Sequence, residues 1–244
     1  MFSKTLVKYI HSLNNKKSRD QHGVFVAEGP KLVEELLNQN NFTLKELYCL
    51  EEWSKTMNKF PSSSEKINIV KDYELEKISL LKTPHSVVGV FFQKKNAIPA
   101  KLNSLTLLLD DIQDPGNMGT IIRSCDWFGV SNIICSENCV DIYNPKVVQS
   151  TMGSLGNVNI SYASLASVIK NYKEIPAYCA DLKGLNVKKF QRPEKMILVI
   201  GNEGNGVSDE VKSVCSGSLT IKKYGNAESL NAAIATSVFL FSLT

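Results

Sequence analysis

The sequence predicts an α/β protein in two parts: a C-terminal, mostly parallel sheet with helices on both faces, preceded by a smaller α/β unit. Three observations carry this. From position 105 onward, short apolar runs that read as strands alternate with runs of helical period. The stretch KKNAIPAKLNS, Lys94 to Ser104, is poor in large apolar residues and interrupts the pattern. The positive charge is also unevenly divided: residues 1–95 hold fifteen Lys and Arg against eleven Asp and Glu, whereas residues 96–244 hold thirteen of each. The expected division is a small domain over 1–95, a linker over 96–104 and a larger domain over 105–244.

In the first part, Leu6, Val7, Tyr9, Ile10 and Leu13 have helical spacing, and the basic run NNKKSRDQHG reads as a break after them. VFVAEGP reads as a strand entering a turn at Gly29 and Pro30, and Lys31 to Leu37 as a helix with Leu32, Val33, Leu36 and Leu37 on one side. LKELYCL, KINIV and SVVGVFF are further strand-like runs, with the helical KDYELEKISLL between two of them. The polar loop FPSSSEK contains turn formers.

The second part begins with the strand TLLLD. A helix around Ile121, SNIICS, a helix around Val147, VNISY, a helix around Val168, PAYCAD, MILVIG, a helix around Val211, LTIKK and a last helix from Ser229 follow. Strands separated by helices form parallel sheets covered on both faces, and such sheets bind ligands beyond the carboxyl ends of their strands.

Composition narrows the function classes. A chain of 244 residues is long enough to bury a sizeable core. No apolar run has the length of a membrane span, and Met1 to Lys17 lacks the continuous apolar segment of a signal peptide, so a cytoplasmic protein with no membrane partner is expected. The six cysteines are scattered, several inside strand-like runs, which suits buried free thiols. Cys135 and Cys139 have no second pair or nearby histidine, and His11, His22 and His85 are isolated from one another, so no metal is expected. Lys4, Lys8, Lys16, Lys17 and Arg19 face one acid, Asp20, before position 21; such a cluster is either a solvated helix face or an arm that grips nucleic-acid phosphates.

Three turns in the second part carry the chemistry. The first follows TLLLD: Asp110, Asp111, Asp114, Pro115 and Gly116 form a polar turn into a helix whose start holds Asn117 and Gly119, with Arg123 further along. Six residues separate Asn117 from Arg123, about 240° on an ideal helix, so the two converge only if Asn117 belongs to the turn. Arg123 is one of three arginines among twenty-eight basic residues. An arginine where lysine is the usual cation suggests use of the planar fork on phosphate or carboxylate, although a solvated helix residue, or an ion pair with Asp126 or Asp111, is the other reading. The second turn is IGNEGNGV, Ile200 to Val207, whose glycines let the backbone approach a ligand and whose Glu203 places a carboxylate among them. Its spacing is neither the dinucleotide fingerprint nor a phosphate loop. The third is YGNAESLN, Tyr224 to Asn231, leading into an apolar helix that Ser229 is expected to cap.

Taken together, N-x-G-x-x-x-R, G-N-E-G-N-G and E-S-L-N, in that order and each after a strand, resemble the three motifs of the SpoU/TrmH family, the RNA ribose 2′-O-methyltransferases of the SPOUT class. NKKSRDQHGVFVAEGPKLVEELL resembles the small RNA-binding domain that often precedes them. Lys222 and Lys223 stand where the family usually has proline and methionine. The resemblance implies a deep trefoil knot, S-adenosylmethionine held by Gly201, Ile221, Leu230 and Asp181, and a homodimer. It also implies methyl transfer to a ribose 2′-hydroxyl of structured RNA, ribosomal rather than transfer RNA. The expected catalytic set is Arg123, Asn117, Glu203, Ser229 and Asn231, and the expected RNA contacts are Lys16, Lys17, Arg19, Lys31 and Arg123. The competing expectation is a catalytically inactive RNA-binding or ribosome-assembly factor that keeps the fold.

Overall fold

The computed structural model describes residues 3–56, 66–102 and 104–244; all of the FPSSSEK loop except Lys66, and Asn103 of the linker, lie outside the described residues. The chain divides into two compact units, one formed by Met1–Lys94 with Asp141–Asn157, the other by Lys95–Val140 with Val158–Thr244.

The first unit begins with α1 (Lys4–Ser12), whose buried Ile10, with Leu13 beyond its end, anchors it in the core. The basic run read as a break is in fact α2 (Lys16–His22). No apolar period marks it; its signals are the ends, where Asn15 Oδ1 accepts from Lys17 N and Gly23 takes a left-handed φ of 62°. Next come β1 (Val24–Glu28), α3 (Pro30–Gln39), β2 (Leu44–Leu50), α4 (Glu51–Thr56), β3 (Ile67–Val70), α5 (Asp72–Ile78) and β4 (Val87–Phe92). The strands form one sheet in the order β1-β4-β2-β3, antiparallel except for β2 with β3. One core cluster brings Ile10 and Leu13 against Val24, Val26, Val88 and Val90.

The second unit contains β5 (Leu105–Asp110), α6 (Pro115–Trp127) and β6 (Asn132–Cys135), after which α7 (Pro145–Thr151) packs in the first unit. There Tyr143 stacks on Phe25 with ring centroids 4.9 Å apart and bonds through its hydroxyl to both backbone groups of Lys94. A side chain at Gly153 would meet Glu35 Cγ at 2.3 Å, so only glycine lets this segment lie against α3.

The remaining elements of the second unit are β7 (Asn159–Tyr162), α8 (Leu165–Asn171), β8 (Ala177–Asn186), β9 (Met196–Gly201), the single turn α9 (Asp209–Lys212), β10 (Gly217–Thr220) and α10 (Ala232–Leu243). Their sheet has the order β10-β8-β9-β5-β6-β7, and every pairing is parallel. Leu107, Leu108, Leu109, Ile197, Leu198 and Val199 are fully buried, each such side chain stabilising by roughly 1.5–3 kcal/mol. That two-sided burial is why β5 and β9 read as continuous apolar runs. Two ends differ from expectation: LTIKK leaves the sheet after Thr220, and the last helix starts at Ala232 rather than Ser229. The sheet order reverses beside β5, whose Asp110 lies opposite Gly201 of β9, so the turns after these neighbouring strands open on the same edge. Among the described residues, no helix is long and apolar enough to cross a membrane, and no group of three His, Cys, Asp or Glu could hold a metal.

Candidate active site

Helix α6 sets the first wall. Asp114 caps it, accepting from Asn117 N at 2.7 Å, and Pro115 occupies the first position, where a missing N–H costs nothing. Met118, Ile121, Ile122 and Cys125 are buried, while Asn117 is half-buried and Arg123 is exposed. Asn117 thus belongs to the first helical turn and not to the preceding loop, so it does not converge with Arg123. Arg123 forms no ion pair with Asp111 or Asp126 among the described residues. Its guanidinium is exposed and available to an external anion.

The second wall is the loop after β9. Asn202 and Gly206 exchange two backbone hydrogen bonds of 3.1 and 2.8 Å, and Gly206 has a φ of 69°. A Cβ at Gly201 would come within 2.1 Å of the Gly206 carbonyl carbon, so this closure excludes any other residue there. Asn202 holds the loop from inside and out, accepting from Gly204 N at 2.8 Å and donating to the Asp111 carbonyl at 3.0 Å. Buried Asp110 fastens its far end by accepting from Ser208 N and Oγ at 2.8 and 2.7 Å. Asn202, Asp110 and Ser208 were not among the expected site residues; an acid ending a buried strand and an asparagine between glycines are the signals that could have revealed them.

The third wall is the start of α10, and here the three motifs meet. Asn231, not Ser229, caps the helix, accepting from Ala233 N and Ile234 N at 3.0 and 3.2 Å. Its Nδ2 donates to Asn117 Oδ1 at 2.9 Å and to Glu203 Oε1 at 3.2 Å. The same Glu203 oxygen accepts from Asn117 Nδ2 and, at 3.3 Å, from Ala232 N. A carboxylate receiving two side-chain amides and a helix-terminal N–H is fixed in direction. Ser229 stands outside this network, exposed on the loop before the helix.

Beside the network lies a cleft of about 580 Å³ lined by Gly201, Ile221, Leu230, Asp181, Glu203 and Ser229, among others. The four expected cofactor residues therefore share one cavity. Asp181 accepts from Lys183 N at 3.0 Å and pairs with Lys212 at 3.2 Å. The backbone hydrogen bond, and then Lys212, hold its carboxyl below the usual aspartate value. The walls of the cleft include Ile200, Ile221, Leu230 and Phe239, while the N–H groups of residues 221–230 join no backbone–backbone hydrogen bond among the described residues and remain open to a ligand.

The expected RNA contacts divide. Lys16, Lys17 and Lys31 are exposed on α2 and α3. Arg19 is not: 1 % exposed, it bonds to Asp141 through Nη2 and Nε at 2.5 and 3.2 Å and donates to the Leu13 and Asn14 carbonyls at 2.9 Å. Its fork is spent on structure inside the first unit, because the acid it needs arrives from a distant part of the sequence.

A parallel α/β sheet with an amide–carboxylate network beside a cleft of this size defines a ligand-binding enzyme fold of the doubly wound type. Residues 104–241 match the model of the SpoU rRNA Methylase family, and residues 4–89 match that of the MRM3-like substrate binding domain. The 23S rRNA (guanosine(2553)-2′-O)-methyltransferase RlmP of Bacillus subtilis is 29 % identical over 97 % of this chain and 95 % of its own length. A TrmH-family protein from Porphyromonas gingivalis superposes with a TM-score of 0.90, at 33 % identity over 100 % of this chain and 98 % of that one. An AdoMet-bound rRNA methyltransferase from Sinorhizobium meliloti gives a TM-score of 0.87 at 29 % identity, covering 100 % of this chain and 96 % of that one. The chain belongs to the SpoU rRNA methylase family.

Proposed function

We propose that this protein transfers a methyl group from S-adenosylmethionine to a ribose 2′-hydroxyl of ribosomal RNA. The observation that carries it is the meeting of Asn117, Glu203 and Asn231, one from each motif, at the side of the cleft, in a family whose relatives include 2′-O-methyltransferases of 23S rRNA. When bound, the cofactor supplies a methyl group on a positively charged sulfur. The chain supplies position and charge. Gly201, Ile221 and Leu230 line the cleft, and Asp181, tied to Lys212, stands at another part of its wall. Glu203 locks the two asparagine amides, so the site is organised before substrate arrives. Arg123 orients the target phosphate and hydroxyl through its fork, because a hydroxyl reacts slowly until it is held in line. Ser229, exposed on the same wall, is a candidate contact to the ribose.

The same reading includes a trefoil knot in the C-terminal region and a homodimer. Supporting the dimer, α6 and α10 expose Trp127 at 85 %, Phe241 at 76 % and Ile234 at 56 %, apolar surface that a second copy would cover. It also includes RNA docking through Lys16, Lys17 and Lys31 of residues 1–95, and a cytoplasmic location, where a ribosomal substrate would be met. An RNA-binding factor without turnover would need neither the cleft nor the locked amides.

Calorimetry with S-adenosylmethionine tests the reading first. Transfer of labelled methyl to ribosomal RNA, with none to DNA of the same sequence, tests the acceptor. Alkali-resistant linkages then locate the methylated ribose. Absence of cofactor binding would leave the non-catalytic factor as the better account.

A further inference from the structure

Residues 221–230 form the exposed rim of the cleft and contain a pair that the network above does not use. Tyr224 is 81 % exposed, and the Lys222 ammonium lies 5.0 Å from the centroid of its ring. Both residues line the cleft. The rest of the loop is fastened by Lys223, whose Nζ donates to the Ala227 carbonyl at 3.1 Å, so the cation beside the ring is Lys222 and not its neighbour. A large ring held open to solvent forgoes the burial that usually stabilises tyrosine. The other strongly exposed aromatics of this unit, Trp127 and Phe241, belong to α6 and α10, whose exposed apolar surface accounts for them; Tyr224 is on neither helix.

We propose that Tyr224, oriented by Lys222, is a stacking platform for a base of the substrate RNA adjoining the methylated ribose. The proposal rests on the methyltransferase reading and adds a specificity-determining contact to it. Ring and ammonium together match the two things that a single-stranded nucleotide offers, a π-face and a phosphate. Tyr224 and Glu203 line the same cleft, so a nucleotide seated on the ring can set its neighbour beside the Asn117–Glu203–Asn231 network. An unstacked base is what a 2′-O-methyltransferase must hold if the ribose is to reach the cleft. Two lysines followed by tyrosine serve this end in a way that proline and methionine at positions 222 and 223 could not.

The test compares the wild-type protein with Tyr224→Ala, Tyr224→Trp and Lys222→Ala. Three quantities are measured: KM and kcat on ribosomal RNA transcribed in vitro, the Kd for S-adenosylmethionine, and quenching of a 2-aminopurine base in a single-stranded RNA octamer. Tyr224→Ala is expected to raise the RNA KM by about tenfold or more, in the range that loss of one base–aromatic stack produces, and to abolish the quenching. It should leave the cofactor Kd within about twofold, Tyr224→Trp should restore both RNA readouts, and Lys222→Ala should weaken RNA binding chiefly at low salt. Unchanged KM and quenching in Tyr224→Ala would overturn the proposal. So would a cofactor Kd that rises in step with KM, which would make Tyr224 a wall of the cofactor cleft. A wild-type protein that binds no cofactor would sink the methyltransferase reading, while the quenching would still decide whether Tyr224 stacks on RNA.

Discussion

Asn117 donates its side-chain amide to Glu203, 86 residues further along the chain. The glutamate thereby holds the first motif to the second, and Asn231 closes the arrangement by donating to both.

Glu203→Gln keeps the shape of that network and removes its charge. Because one oxygen accepts three donors, the loss should reach about 10- to 100-fold in kcat/KM, as expected for a charge-assisted bond worth ~1.5–3 kcal/mol. Asn117→Ala and Asn231→Ala should be non-additive in a double-mutant cycle, since each already breaks the shared network. Additive losses in single-turnover assays would mean that the two asparagines act separately.

Arg123→Lys keeps the charge of an exposed residue that has no ion-pair partner among the described residues. Folding should therefore be untouched, and the melting temperature should match wild type. Methyl transfer should fall by about 100-fold if the fork orients the phosphate and hydroxyl. Near wild-type turnover on ribosomal RNA would refute a role that needs the planar fork.

Arg19 and Lys16 with Lys17 should behave oppositely. Arg19→Ala leaves the Asp141 carboxylate and two backbone carbonyls without their partner, which costs about 3–5 kcal/mol by denaturant titration. Lys16→Ala with Lys17→Ala should cost little stability. If these lysines neutralise RNA phosphates, the double variant should lower the slope of log affinity against log salt by about 0.7–0.9 for each phosphate no longer neutralised. An unchanged slope would reduce the lysines to a solvated helix face.

Asp181 gives a pH dependence of known sign. Its folded carboxyl titrates below the usual aspartate value of about 3.9, so its contribution to stability is fully present above about that pH and is lost as pH falls through the lower folded value. The melting-temperature gap between wild type and Asp181→Asn should thus be constant near neutrality and narrow under acid conditions. A gap that widens on acidification would show that the Lys183 and Lys212 contacts do not favour the anion.

Asp111 begins the turn after β5 with a left-handed φ of 58°. Asp111→Gly should be tolerated and hold or raise the melting temperature, whereas Asp111→Val should lose ~1–2 kcal/mol or more. Equal stability of the two variants would mean that the turn relaxes freely.

The parallel sheet was legible because β5 and β9 are buried on both sides and so read as unbroken apolar runs, with the first two motif turns at their ends. The network was legible as residue types but not as geometry. Helical spacing separates Asn117 from Arg123 in direction, and only the position of Glu203 explains which of them joins the hydrogen-bonded network. Ser229 competes with Asn231 as a helix cap at the level of residue preference, and the asparagine prevails because it caps and bridges at once. Helix α2 was hidden because a short polar helix has no apolar period. The structural role of Arg19 was hidden for a related reason: an arginine in a basic run is ordinarily solvated, and its burial depends on Asp141, 122 residues away.

That separation also orders events during synthesis. Residues 1–94 leave the ribosome before residues 141–157 that complete the same unit, with residues 95–140 emerging between them. Until Asp141 appears, the Arg19 guanidinium has no acid to meet, and Phe25 lacks the ring of Tyr143. The N-terminal unit therefore closes last over part of its surface, after the first strand and helix of the other unit have already been made. A nascent chain paused before residue 141 should expose that unfinished face, a window in which a chaperone or premature RNA contact competes with folding.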